Sequence, residues 1–205
     1  MKIVSINASP NKLGSTSKLL SIVEDELKSL GHQVTRYDLY DYTYKGCIAC
    51  NACSKPETNY CSQQDELIPI LEKIDHSACL LFGSPIYIGH ITGEGKSFID
   101  RLYTFLCSKE RSKDIKKKVF SFVITQGADL KYFRTVRAYL NEWFFDYMGL
   151  VNGGSLSVGE LGGAEDLKKQ PKMLVKAKKL AKQIDDAFYP AKIDRNAKPK
   201  KQKKT

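Results

Sequence analysis

No stretch of this 205-residue chain approaches the roughly 18 consecutive apolar residues that a membrane span requires, so a membrane-embedded role is not expected. The start, Met1-Lys2-Ile3-Val4-Ser5-Ile6, lacks the charged region, apolar block and small-residue cleavage site of a secretory signal. The cytoplasm is therefore the expected compartment. Neither the dinucleotide pattern G-x-G-x-x-G nor the phosphate loop G-x-x-x-x-G-K-[ST] occurs, which argues against NAD or ATP as a resident ligand of the first loop. No spacing suggests a Ser-His-Asp set or a pair of catalytic carboxylates. No aromatic residues interleave with the lysines of the C-terminus, as base-stacking platforms would, so nucleic acid is not an expected partner.

What is present is the composition of an ordinary folded domain, 42% apolar and 27% charged, long enough to bury a core without disulfides. The net charge of +10 is unevenly placed. Residues 192–205 carry Lys192, Arg195, Lys198, Lys200, Lys201, Lys203 and Lys204 against Asp194 alone, which puts +6 there and +4 in the remainder. Such a segment cannot bury enough apolar surface to order itself, so residues 191–205 are expected to be a disordered basic tail. Residues 1–190 then form one domain. A solvated extension is the simplest role for the tail, with docking to an acidic protein, RNA or anionic lipid as sharper ones.

Along the body, strand and helix patterns alternate. Strands are predicted over residues 2–8, 33–38, 78–83, 119–125 and 156–158, and helices over 16–30, 65–74, 94–107, 132–148 and 164–188, the last open to a break near Pro171. Five strands separated by helices imply an α/β fold with a doubly wound parallel sheet, helices on both faces, because crossovers between parallel strands are right-handed. Ligands of such sheets lie beyond the carboxyl ends of the strands.

Three loops meet at that end. The first offers Ser9, Asn11, Gly14, Ser15, Thr16 and Ser17 around a helix start, whose free amides and dipole favour an anion. A monophosphate such as that of FMN suits it; simple helix capping by Ser15 is the alternative. The loop after the third strand, Pro85-Ile86-Tyr87-Ile88-Gly89, gives an apolar wall with backbone donors, as a flavin ring needs, although an incidental surface turn has the same composition. Thr125 and Gly127, flanking Gln126, are placed to close the ring from the other side. His90 reads as a solvent-facing loop residue, and Trp143, Phe144, Phe145 and Tyr147 as helix packing, a subunit interface or a pocket cover.

Residues 45–64 hold the sharpest signal: Cys47-x2-Cys50-x2-Cys53-x7-Cys61. Thiolates two residues apart can wrap one inorganic centre within a loop. Overlapping C-x2-C-x2-C is commoner for iron–sulfur binding than for zinc, but zinc and a free-thiol cluster both stay open. Cys79, in an apolar strand, and Cys107, at a helix end, read as buried or structural thiols.

Across residues 1–188 these motifs resemble the NAD(P)H-dependent FMN reductase superfamily of flavodoxin-like proteins. Ser9-Pro10-Asn11 with Gly14-Ser15-Thr16 resembles its phosphate loop. Ser84-Pro85-Ile86-Tyr87 with Lys96-Ser97-Phe98-Ile99-Asp100-Arg101 resembles its flavin-ring loop and following helix. The cysteines after the second strand are similar to those of its iron–sulfur flavoprotein family. The resemblance implies a three-layer flavodoxin-like sheet and an FMN-dependent oxidoreductase. It further implies a 4Fe–4S cluster on Cys47, Cys50, Cys53 and Cys61 that exchanges electrons with FMN. Ferredoxin or NAD(P)H would be the donor, a small molecule the acceptor, and a homodimer or homotetramer the assembly. A cluster-free FMN or quinone reductase, and a non-catalytic carrier or zinc-stabilised FMN-binding module, are the competing readings.

Overall fold

The computed structural model describes residues 1–189, so the basic tail and the boundary expected at residue 190 lie outside the described residues. Five strands run parallel: β1 (Lys2–Asn7), β2 (Gln33–Asp38), β3 (Cys79–Tyr87), β5 (Val119–Thr125) and β6 (Val151–Val158). Their order is β2-β1-β3-β5-β6, and a sixth, two-residue strand β4 (His90–Ile91) pairs antiparallel with the end of β3. The chain moves outward from β1 to β2, then crosses back to β3. That reversal opens a crevice between the carboxyl ends of β1 and β3.

Alternation along the strands divides the core in two. Ile3, Cys79, Leu81, Val119 and Val123 face helices α1 (Ser15–Ser29) and α7 (Pro171–Phe188), while Val4, Ile6, Leu80, Phe82, Phe120 and Phe122 face α2 (Ile68–Asp75), α3 (Gly93–Arg101) and α6 (Arg134–Asn141). Gly83 lets α1 approach the sheet, since a Cβ there would stand 2.5 Å from Leu20 Cδ1. Among the described residues, no helix is long and apolar enough to cross a membrane.

Several elements differ from the sequence expectation. The helix expected over 94–107 breaks, because i→i−3 bonds from Leu102 to Ile99 and Tyr103 to Asp100 tighten the end of α3 before α4 (Thr104–Cys107) restarts. A further short helix, α5 (Arg111–Ile115), follows. The helix expected from residue 132 begins at Arg134, after Phe133 at φ +54°, and passes into a π-helical turn over Glu142–Tyr147. There Phe144 stacks on Phe120 with centroids 3.7 Å apart, so packing uses this aromatic, whereas Trp143 stacks on the exposed Tyr147. The helix expected from residue 65 starts at Ile68, with Pro69 in its first turn, where a missing N–H costs nothing. β6 begins earlier than expected because a register shift absorbs the Gly153-Gly154 pair.

Candidate functional site

A cavity of about 200 Å³ lies in the β1/β3 crevice, lined by Ser9, Asn11, Gly14, Ser15, Thr16, Pro85, Ile86, Tyr87, Thr125, Gln126, Gly127 and residues 161–164. Four loops far apart in sequence thus converge where the topology requires. A larger depression of about 330 Å³ beside Lys2, Gln33, Glu72 and His76 sits away from the carboxyl ends of the strands.

The first loop is fixed by its own side chains. Ser9 Oγ accepts from the Asn11 amide at 3.2 Å, Asn11 Oδ1 from the Leu13 amide at 3.0 Å, and the Asn11 carbonyl from the Gly14 amide at 3.0 Å. The chain then enters α1, whose first intrahelical bond is donated by Lys18 to Gly14. No side chain caps this start and no acidic residue occupies its first turn, so the alternative of capping by Ser15 does not occur. The amides of Ser15, Thr16 and Ser17 have no intrahelical acceptor, and a phosphate fits that unfilled need. Ser15 Oγ instead donates to the Gly163 carbonyl at 3.1 Å, and the Thr16 and Thr125 hydroxyls bond at 2.7 Å, tying α1 to the loops after β6 and β5. Ser17 stands apart: its hydroxyl accepts from Arg36 on the far side of α1.

The second wall is a hairpin. Ile86 pairs with Ile91 and Tyr87 with His90, and Ile88 and Gly89 between them hold φ +47° and +80°, the signature of a two-residue reverse turn with both central residues left-handed. Thr92 ties this wall to the first loop, its Oγ1 donating to the Ala8 carbonyl at 2.7 Å while its amide donates to Ser84 Oγ at 3.2 Å. Tyr87 is half exposed, and Ile88 is fully exposed; of the expected residues of this loop, Ile88 and Gly89 do not line the cavity. His90 faces solvent with its ring against Tyr139.

Two contributors were missed in the sequence. Residues 161–164 complete the cavity, held by Asp166, which accepts from the Gly162 and Gly163 amides at 2.9 and 3.1 Å; the Gly-Gly pair after the last strand was the available signal. Gln126, almost fully buried, donates from Nε2 to the carbonyls of Ala128 and Asp129 and shapes the loop after β5.

The cysteines lie between β2 and α2, where a single 3-10 turn (Ala52–Ser54) is the only regular structure from residue 43 to 67. Both ends of that segment are pinned by Arg101, which is 2% exposed. Its guanidinium bonds Asp65 through two contacts of 2.7 and 3.0 Å and donates to the carbonyls of Lys45 at 2.8 Å and Gln63 at 3.2 Å. Burial works to raise the Asp65 pKa, but the bonds and charge of Arg101 hold it below the ordinary carboxylate value. Ala49, Asn51 and Tyr60 adopt φ of +53°, +56° and +62° beside Cys50, Cys53 and Cys61, strain of the kind that collects at functional sites.

The thiols themselves are dispersed. Cys47 Sγ accepts from the Ala49 amide, Cys50 Sγ lies 3.2 Å from Ser62 Oγ, and Cys53 Sγ lies 2.9 Å from Cys107 Sγ. The Ser62 hydroxyl lowers the Cys50 pKa, whereas burial, followed by the Cys107 thiol, pushes Cys53 up to about 12. Among the described residues, no group of three or more His, Cys, Asp or Glu side chains is gathered as a metal would need. The set Cys47, Cys50, Cys53 and Cys61, as placed, does not fit a bound cluster. Cys79 is wholly buried, as expected, but Cys107 is partly exposed against Cys53.

Comparison with known proteins agrees with the fold. A family profile described as NADPH-dependent FMN reductase matches residues 1–161. An iron-sulfur flavoprotein of Archaeoglobus fulgidus is 38% identical over 62% of this chain and 60% of its own length. A second from the same organism is 30% identical over 92% of this chain and 80% of its own. The solved NAD(P)H:quinone oxidoreductase of Methanothermobacter marburgensis superposes with a TM-score of 0.67 at 13% identity, covering 90% of this chain and 94% of that one, a likeness of fold. The chain belongs to the NADPH-dependent FMN reductase family, as an iron-sulfur flavoprotein within it.

Proposed function

We propose that this chain is an FMN-dependent oxidoreductase that takes electrons from NAD(P)H, or from a one-electron protein donor such as ferredoxin, and delivers them to a small-molecule acceptor of the quinone type. The observation that carries this is the convergence of the uncapped start of α1 and the Pro85–Tyr87 wall on one cavity at the β1/β3 crevice. Bound FMN would supply two-electron acceptance and one-electron release. The amides of Ser15, Thr16 and Ser17 would hold its phosphate, joined by the Ser15 hydroxyl turned from Gly163 and by the Thr16 hydroxyl, which can accept from Thr125 while donating to the phosphate. Pro85, Ile86, Tyr87 and Ile88 would wall its ring, with Gly89 allowing the turn and Thr125 and Gly127 closing the opposite side. The Thr16–Thr125 bond keeps the phosphate and ring ends of the site in register.

A 4Fe–4S cluster on Cys47, Cys50, Cys53 and Cys61 is the finer reading, supported by the spacing and by the names of the relatives. The dispersed thiols among the described residues favour the cluster-free reductase as the second reading. A homodimer or homotetramer in the cytoplasm remains the expected assembly and place. The deciding test for the cofactor is titration of FMN and riboflavin into wild type and Ser15→Ala/Thr16→Val. Hydrogen bonds to a charged group contribute about 1.5–3 kcal/mol each, so FMN should lose on the order of tenfold or more while riboflavin changes little. Equal losses for both would remove the phosphate assignment. Iron and sulfide assay after anaerobic reconstitution separates the two readings of the cysteines.

A further inference from the structure

We propose that Cys53 and Cys107 close into a reversible disulfide when the protein meets an oxidising small-molecule disulfide, withdrawing Cys53 from the other thiols of its segment. The bond needs neither FMN nor a metal, so the inference goes beyond the redox reading above and does not rest on it. Its basis is a pair of sulfurs held together by surrounding structure rather than by chance proximity.

The two cysteines come from different elements, 54 residues apart, yet their sulfurs stand at 2.9 Å, the Cys107 thiol donating to Cys53. Arg111 bridges the two elements: its Nε donates to the Thr104 carbonyl of α4, and its Nη2 to the Cys53 carbonyl, both at 3.3 Å. The same guanidinium lies 5.2 Å from the Tyr60 ring centroid, and Thr104 Oγ1 donates to the Tyr60 carbonyl at 2.5 Å. Four contacts that do not involve sulfur therefore dock α4 on the cysteine segment and aim Cys107 at Cys53. Among the described residues no other two sulfurs make such a contact: Cys50 is matched to Ser62, and Cys79 is wholly buried in β3. Both Cys53 and Cys107 are partly exposed, so an oxidant can reach them.

The exchange balances with glutathione disulfide as the oxidant. One cysteine sulfur, as thiolate, attacks a glutathione sulfur; the glutathione S–S bond breaks, a mixed disulfide forms, and one glutathione leaves as the thiol. The neighbouring cysteine then attacks the protein sulfur of that mixed disulfide, the Cys53–Cys107 bond forms, and the second glutathione leaves. Two protein thiols are oxidised, one glutathione disulfide is reduced, and the two thiol protons end on the two glutathiones. A sulfur so engaged is no longer a thiolate ligand, which makes the bond a switch on the composition of the cysteine set.

The test uses the full chain, treated anaerobically with a chelator and then with glutathione disulfide. The whole-chain mass should fall by two hydrogens and return on addition of dithiothreitol. Trypsin should yield one cross-link between the peptides covering residues 102–109 and 46–73, with fragmentation placing it on Cys53. The variants Cys53→Ser and Cys107→Ser should each show no such cross-link. The inference is overturned if Cys53 and Cys107 both stay open to alkylation. It is equally overturned if Cys107 joins Cys47, Cys50 or Cys61 as often as Cys53. Should a variant not fold, the wild-type map decides alone. Metal analysis of the same preparation before chelation scores the cluster reading separately, so either can fail without the other.

Discussion

Ile88 has a backbone and a side chain that the fold alone does not explain. A β-branched residue at φ +47° is held where L-residues other than Gly, Asn and Asp seldom go, and its side chain packs against nothing in the described structure. The left-handed conformation costs roughly 1–2 kcal/mol. Asparagine tolerates it without glycine's added unfolded-state entropy. Ile88→Asn should therefore stabilise the protein by about 1 kcal/mol, seen as a melting temperature higher by about 2–4 °C in a chain of this size. If the flavin ring rests on Ile88, the same change removes apolar contact worth about 1 kcal/mol and should weaken FMN roughly fivefold. Greater stability with unaltered FMN affinity would mean that Ile88 has no part in the site.

At the scale of elements, the cysteine segment depends on a single buried arginine. Replacing Arg101 by Gln would leave the Asp65 carboxylate and the carbonyls of Lys45 and Gln63 short of donors, and breaking such a pair costs about 3–5 kcal/mol. Hydrogen exchange of residues 45–64 should accelerate sharply, while the strands of the parallel sheet stay protected; unchanged exchange in 45–64 would show that the segment is held by other contacts. The pH dependence follows from Asp65. Its folded pKa is depressed, so its contribution is fully present above the unfolded value near 3.9 and is lost as pH falls through the lower folded value. Asp65→Asn should flatten that acid-side decline, whereas an unaltered decline would place the responsible carboxylate elsewhere.

These elements also show what the sequence could and could not disclose. The strands, and the loops that close the cavity, were legible because alternation and hydroxyl-rich helix starts are local signals: Ser9, Thr16, Pro85 and Thr125 all line it. The break after Arg101 was not legible, since it arises from contacts of Arg101 and Thr104 with residues some 36 to 56 positions away. The pairing of Cys107 with Cys53 was hidden for the same reason: its cause is the docking of α4, whereas spacing reports only on the segment itself. Conversely, the spacing of Cys47, Cys50, Cys53 and Cys61 suggested a gathered ligand set, and the backbone disperses it through left-handed turns at Ala49, Asn51 and Tyr60.

For the molecule as a whole, the charge is concentrated at one end of the sequence. Residues 192–205 hold +6 of the net +10, while among the described residues the proposed cofactor cavity is lined from residues 9–16, 85–87, 125–127 and 161–164. A tail whose composition cannot form a core is not expected to hold the ligand, which should stay bound when the tail is removed. We therefore expect truncation after Ala191 to leave FMN content and reduction of the flavin by a small artificial donor unchanged. The tail's field reaches only about 8 Å at physiological ionic strength. An effect of truncation is accordingly expected only on the association rate with an acidic protein donor: slower at low salt, converging with the full chain as salt rises. Stopped-flow reduction across a salt series, with the flavin spectrum of both forms recorded beforehand, measures each part. Loss of bound FMN on truncation, or a rate difference that persists at high salt, would place the tail in the site after all.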